Sequence, residues 1–280
     1  MKNESLIIMA GGASSRMKRS LASSGLDDET ITIAKNLHKT LIPLGKAQKP
    51  LLFYLLKNAI DANVKDVYVI TSPENKAFIE FAEDFFKDEE HRKIKLNFAI
   101  QNVPQDREKP LGTADALQQC MDQYPKLLEE RFTVCNGDNL YSTNALKDLK
   151  KERVAPNALI SYSSSGLNFS DERISKFALM DIDNNGFLKG IVEKPKPEEV
   201  NQYRDDEGIL RVSMNIFNFS GNVVYPYLEN CMLDPIRNEK ELPQAVRKMV
   251  IEVDNSVLCY PRSEGIPDLT DANDLKRFLE

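Results

Sequence analysis

A chain of 280 residues, 41% apolar and 29% charged, is long enough to bury a sizeable core and is not composed like a disordered segment. Its net charge of -6 argues against a nucleic-acid polymer as partner, which needs a broad basic surface, and leaves small anionic ligands open. Four widely spaced cysteines without a Cys-x-x-Cys pair, and only two histidines, speak against a structural zinc site. No apolar window reaches the length of a membrane span or a secretory leader, so no membrane partner and a cytoplasmic location with reduced thiols are expected.

The chain opens with an apolar run, Leu6 to Met9, that ends in Ala10, Gly11 and Gly12 and is followed closely by Ser14, Ser15, Arg16 and Lys18. Glycines let backbone N–H groups approach phosphate oxygens, and Arg16 adds a planar fork of donors, so a buried strand opening into a polyanion-binding loop is expected. Read alone, the Gly-Gly pair is an ordinary turn, and no Gly-Lys-Ser/Thr follows to make it a Walker loop. Ser20 to Asn36 is polar and poorly periodic, either a mobile extension of the loop or a surface insertion. His38 and Lys39 precede Leu41-Ile42-Pro43, and Pro50 starts a helix with Leu51, Leu52, Leu55, Leu56, Ala59 and Ile60 on one face.

Val67 to Ile70 reads as a strand, Thr71-Ser72-Pro73 as the cap of a helix lined by Ala77, Phe78, Phe81 and Phe85, and Asp84 to Lys95, with His91, as a solvated helix end. A third strand, Leu96 to Ile100, leads through Gln101 to Pro110 into Leu111-Gly112-Thr113-Ala114, where a helix begins. The fourth strand, Phe132 to Asn136, runs straight into Gly137-Asp138. That places a carboxylate at the strand-end edge where open α/β sheets bind ligands, a candidate for holding Mg²⁺; the alternative is an aspartate capping the next helix.

The pattern then turns antiparallel. Phe177 to Ile182 and Phe187 to Val192 flank Asp183-Asn184-Asn185-Gly186, a hairpin signal, with Glu193-Lys194-Pro195 closing it. A further strand is expected over Arg211 to Phe219, a helical face at Leu242, Ala245, Val246 and Met249, a last strand at Val257 to Tyr260, and a C-terminal helix after Asp268. The expected architecture is α/β: a Rossmann-like, mixed and mainly parallel sheet flanked by helices, with an antiparallel lid. It is read as a single domain over 1–280, one half 1–155 and the other 156–280.

In combination, Met9-Ala10-Gly11-Gly12 with Ser15-Arg16-Met17, Lys39 before Leu41-Ile42-Pro43, Leu111-Gly112-Thr113-Ala114, Gly137-Asp138, Glu193-Lys194-Pro195 and Asp268 resemble the sugar-phosphate nucleotidyltransferases, in order and over nearly the whole chain. The resemblance implies that a sugar 1-phosphate attacks the α-phosphorus of a nucleoside triphosphate to give a nucleotide-sugar and pyrophosphate. It implies that the backbone at Ala10, Gly11 and Gly12 holds the nucleotide, that Arg16 and Lys39 hold the triphosphate, that Gln101 and Gly112 face the base, and that Thr113 is also among the nucleotide-binding residues. It further implies that Asp138 and Asp268 share Mg²⁺, and that Glu193, Lys194 and Ser213 face the sugar phosphate. Departures from the family pattern are His38 in place of proline, the long insertion before Lys39, Ala178 in place of glycine, Ser213-Met214-Asn215 in place of Asn-Ala-Gly, and Thr270 in place of glycine. The open alternatives are a nucleotidyltransferase acting on a cofactor precursor, a regulatory nucleotide-sugar binder and, more remotely, a glycosyltransferase. Base, sugar and homo-oligomeric state stay undetermined at this level.

Overall fold

A computed structural model describes residues 1–279 apart from Lys176, Lys194 and Ile236. Strand β1 (Ser5–Met9) leads to α1 (Ser15–Ser20), α2 (Asp28–Asn36), a two-stranded clip of β2 (Pro43–Leu44) and β3 (Lys49–Pro50), and α3 (Leu51–Asp61). Strands and helices then alternate through β4 (Asp66–Thr71), α4 (Lys76–Phe85), β5 (Lys95–Ile100), α5 (Thr113–Gln123), β6 (Arg131–Asn136) and α6 (Thr143–Leu149). The second half holds β7 (Asn157–Ser163), the short α7 (Asp171–Ile174), β8 (Ala178–Ile182), β9 (Leu188–Glu193), β10 (Arg211–Ser213) and β11 (Ile216–Ser220). It finishes with α8 (Gly221–Glu229), α9 (Leu242–Glu252), β12 (Val257–Arg262) and α10 (Ala272–Leu279).

Ten strands form one sheet in the order β5-β4-β1-β6-β11-β7-β10-β8-β9, with β12 also on β7. The first four neighbours are parallel, which puts the ends of β1, β5 and β6 on one edge. β1 is apolar without alternation because it is covered on both faces: Leu6 and Ile8 enter the core shared with α3, α4 and α6, and Ile7 the core shared with α5, α8 and α9. The chain passes from β1 to β4 on one side and returns to β6 on the other, a switch point that opens a crevice at the carboxyl ends of β1 and β6.

The antiparallel strands extend the same sheet. β10 and β11 lie successively along β7; opposite β7, β11 pairs with β6 but β10 pairs with β8. The exchange of partners occurs at Met214 and Asn215, where Asn215 has φ 54°. Arg211 to Phe219 is therefore two strands with a break and not one, and the break spreads β6 away from β8 beside the ends of the parallel strands. The hairpin between β8 and β9 follows its sequence signal: the Asp183 carboxylate accepts from the N–H groups of Asn185 (3.0 Å) and Phe187 (2.9 Å).

Three other local expectations are corrected. The stretch from Ser20 to Asn36 is folded: α2 is capped by Asp27, which accepts from Thr30 N–H, and Leu21 and Ala34 are buried with Met17, Ile42, Leu269 and Leu275. The cap position of α4 is Asn75, not the Thr71-Ser72-Pro73 segment. His91 is buried, stacks on Phe85 with ring centroids 3.9 Å apart, and its Nδ1 meets the Phe85 carbonyl at 2.7 Å. The apolar face of α9 belongs to the chain's own core, packed with α8 and β9.

Edge strand β5 is covered by side chains of α5. Gln123 accepts from Ile100 N–H (2.9 Å) and donates to Ile100 C=O (2.8 Å), and Gln119 does the same at Asn102 (2.8 and 3.2 Å). Tyr124, just past the helix, donates its hydroxyl to Phe98 C=O at 2.7 Å. Among the described residues no helix is long and apolar enough to cross a membrane.

Candidate active site

The strand-end crevice is a cavity of about 910 Å³ lined, among others, by Arg16, Asp138, Arg173, Glu193, Ser213 and Asp268. Asp138 follows β6 directly, and its neighbour Gly137 is there because an added Cβ would stand 2.9 Å from Met9 O and 3.0 Å from Thr40 Cγ2. Asp268 arrives from the far end of the chain and is fixed beside Asp138 by backbone pairing: Asn139 bridges Asp268, and Leu269 N–H donates to Asp138 C=O at 2.8 Å. Burial pushes the Asp268 carboxyl up, and the nearby Asp138 carboxylate pushes it further.

Each aspartate has a cation. Lys39 Nζ pairs with Asp138, and Arg173 Nη2 reaches Asp268 at 2.6 Å. Arg173 also makes a forked pair with Asp274 (2.7 and 3.1 Å), whose carboxylate accepts from Thr270 N–H (2.9 Å) and Asp271 N–H (3.1 Å) at the start of α10. Ala272 N–H in turn donates to Ser20 Oγ (2.9 Å), so the α1 segment carrying Arg16 is tied to the segment carrying Asp268. Two carboxylates brought together are a donor set that suits one hard divalent cation, with Lys39 and Arg173 as the cations that hold them here.

Lys39 is aimed by its neighbour. His38 caps the turn at Lys39–Leu41: its Nδ1 accepts from Thr40 N–H (3.3 Å), and Lys39 N–H donates to Ser14 Oγ (3.3 Å). Burial, and then the Lys39 charge, push the imidazole down to about 4. The unfolded chain takes up that proton near pH 6.5, so the native state loses stability as pH falls from 6.5 towards 4. His38→Gln is expected to flatten a loss of about 2–3 kcal/mol across that window, read from urea midpoints at each pH. An unchanged profile would mean that His38 is charged in the folded state.

The residues at the ends of β1 and β5 stand apart from those that line this cavity: Ala10 N–H is used by the sheet, donating to Ile70 C=O at 2.8 Å. Gly11 and Gly12 N–H have no hydrogen-bond acceptor among the described residues. Gln101 is 4% exposed and donates from Nε2 to Gly112 C=O. The Thr113 hydroxyl accepts from Leu242 N–H at 2.8 Å. Gly112 has φ +121°, and a Cβ there would lie 2.3 Å from Lys240 O. Gly112→Ala should therefore push the 231–241 loop off α5 and destabilise the fold by about 3 kcal/mol, measured by thermal or urea unfolding.

In the cavity itself, Glu193 meets Arg237 Nη1 at 3.1 Å, and Arg237 also pairs with Glu241. Ser213 borders the cavity, and its Oγ accepts from Asn215 N–H at 3.3 Å, holding the strand break. Lys194 lies outside the described residues. Arg16 is exposed at the rim. Arg173 and Arg237 had no signal in the sequence: Arg173 sits in the four-residue α7, 95 positions from Asp268, and Arg237 lies between α8 and α9, 44 positions from Glu193.

A family model described as nucleotidyl transferase matches residues 5–269. The chain belongs to the nucleotidyl transferase family. Membership makes it a nucleotidyltransferase, an enzyme, and the match takes in both Asp138 and Asp268. A solved structure of a UDP-glucose pyrophosphorylase complexed with UDP-glucose superposes with a TM-score of 0.71 at 15% identity, covering 99% of this chain and 97% of that one. At that identity the likeness is one of fold: the mixed sheet with its helices and antiparallel strands is a nucleotidyltransferase fold.

Proposed function

We propose that this nucleotidyltransferase moves a nucleotidyl group from a nucleoside triphosphate to a sugar 1-phosphate, releasing pyrophosphate and a nucleotide-sugar, with Mg²⁺. The observation that carries the reading is the meeting of Asp138 and Asp268 on one wall of the cavity, with Lys39 and the Arg16 rim beside them. A sugar 1-phosphate oxygen attacks the α-phosphorus, the bond to the β-phosphate bridging oxygen breaks, and that electron pair leaves with pyrophosphate. The reaction brings anions together, so it calls for positioning and positive charge and no protein nucleophile.

In this reading Gly11 and Gly12 offer their free N–H groups to the triphosphate, and Ala10 sets their position through the sheet. Arg16 holds the departing phosphates, and Lys39 holds the triphosphate close to the reacting centre. Asp138 and Asp268 would hold the Mg²⁺, which offsets repulsion between phosphate oxygens when bound. Gln101 and Gly112 face the base, with Thr113 ordering the start of α5. Glu193 accepts from sugar hydroxyls, Ser213 lines the same subsite, and Lys194 neutralises the sugar phosphate. The halves 1–155 and 156–280 then act as nucleotide and sugar-phosphate sides of one cytoplasmic catalytic domain.

The test is a matrix of nucleoside triphosphates against sugar 1-phosphates with Mg²⁺, scored by pyrophosphate release and product mass. A nucleotide-sugar peak is the expected result. Silence across the matrix, in protein that binds nucleotide, would overturn the sugar acceptor in favour of another phosphate or a regulatory binder.

A further inference from the structure

The break between β10 and β11 sets the Asn215 side chain on the cavity wall. Met214 C=O accepts from the hydroxyl of Tyr141, which is fully buried, at 2.5 Å, and Asn215 N–H donates to Ser213 Oγ. The peptide between them is held from both sides, and Asn215 keeps its left-handed backbone. Glycine meets that backbone demand at least as well. An asparagine in this conformation commonly bonds to the backbone beside it, yet the Asn215 amide makes no hydrogen bond among the described residues. Its Oδ1 is buried without a donor, a state that folded chains avoid. Nothing local explains the choice of an amide here.

The surroundings of Asn215 do. Glu193, Ala178 and Ser213 are cross-strand partners on β9, β8 and β10 and form one row across the sheet. β11 starts at Ile216 beside Cys135 of β6, three residues before Asp138. Asn215 thus lines the cavity between the row that ends in Ser213 and the carboxylate pair. A sugar 1-phosphate with its phosphate at the carboxylates and its outer hydroxyls at Glu193 lays C2, the carbon beside the anomeric centre, against residue 215.

We propose that Asn215 is a specificity-determining residue that reads the C2 substituent of the sugar. The proposal rests on the sugar 1-phosphate acceptor of the proposed function. An amide is neutral and both donates and accepts, so it complements a hydroxyl or an acylamino group, each of which does the same. A C2 methylene offers neither and leaves the amide as unpaired as it is in the empty cavity.

The test is steady-state kinetics of wild type and Asn215→Gly, with Mg²⁺ and each of UTP, dTTP, GTP, ATP and CTP. The acceptors are the 1-phosphates of glucose, galactose, mannose and N-acetylglucosamine, and the 2-deoxy forms of glucose and galactose 1-phosphate. In kcat/KM, wild type should favour its best C2-substituted acceptor over the matching 2-deoxy form by about 10-fold or more. Glycine takes up the same backbone and keeps the bond to Ser213, so the variant should fold with an unmoved Tm. In the variant the ratio should fall about 10-fold towards unity, through a higher KM for the substituted sugar alone. KM for the nucleoside triphosphate should not change.

A wild type indifferent to the C2 substituent, an unchanged ratio in the variant, or an equal loss on substituted and 2-deoxy acceptors overturns the proposal and leaves the transfer reaction standing. A fall in Tm with both KM values raised would make Asn215 structural and overturn it likewise. Silence with every acceptor, in protein that binds nucleotide, overturns the sugar acceptor and the proposal with it.

Discussion

Asp138→Ala is expected to lower kcat about 1000-fold or more in the pyrophosphate-release assay, with the nucleotide-sugar peak lost from the product spectrum. The side chain has two tasks in the proposed site: it offers half of the carboxylate pair, and it holds Lys39. Its removal costs little stability, about 1 kcal/mol, because both members of the pair are partly exposed. The loss should therefore sit in kcat with the thermal midpoint almost unmoved. Asp138→Asn separates the tasks, keeping shape and a hydrogen-bond acceptor for Lys39 while removing the charge that a divalent cation needs. Activity within a few-fold of wild type in either variant would remove Asp138 from the reaction and leave it the capping role that its position after β6 also allows.

Asp274→Ala is expected to destabilise the fold by about 3 kcal/mol, or roughly 6–10 °C in Tm. Asp274 is 3% exposed and takes four contacts at once: both Nη groups of Arg173 and the N–H groups of Thr270 and Asp271. Deleting it leaves Arg173 with Asp268 alone and takes the acceptor from Thr270 and Asp271 N–H just before α10, whose own first N–H groups keep Ser20 Oγ and Asp271 Oδ1. Because Ala272 is bonded to Ser20, the disturbance should travel to the loop that carries Arg16. KM for the nucleoside triphosphate should rise together with the fall in Tm. Leu275→Ala, which removes a buried apolar contact of the same helix, serves as a comparison. An equal rise in KM there would assign the effect to helix docking and not to the Arg173 cluster.

What could be read from the sequence was what is local. The apolar run of β1, the glycines after it, the aspartate directly behind β6 and the Asp183 to Gly186 turn each depend on neighbours within a few positions, and each stands where its residues put it. The site's outer parts depend on contacts across the chain. Arg173 meets Asp268 across 95 positions and Arg237 meets Glu193 across 44, and no periodic pattern surrounds either arginine. The folded insertion escaped notice because α2 offers only Ile31, Ile33 and Ala34 to a small core whose other members lie near Met17, Leu44 and Leu275. The break at Asn215 was hidden for a related reason. A strand that exchanges one partner for another keeps its apolar content, and only the left-handed backbone at Asn215 betrays the change.

The clasp on β5 has a consequence for how copies of this protein meet. An outermost strand with free N–H and C=O groups is a template on which a foreign strand can grow. Here Phe98, Ile100 and Asn102, successive outward positions, are each engaged by a side chain of the following helical segment. The match is one of spacing: a helix advances about 6 Å in four residues and a strand about 6.6 Å in two, so Gln119 and Gln123 fall opposite alternate residues. Continuation of the sheet from molecule to molecule is closed off on that side, and any assembly of this chain has to be built from other surfaces. Exchanging both glutamines for alanine would uncover a hungry edge, and a solution that stays clear for the native protein would be expected to cloud on standing.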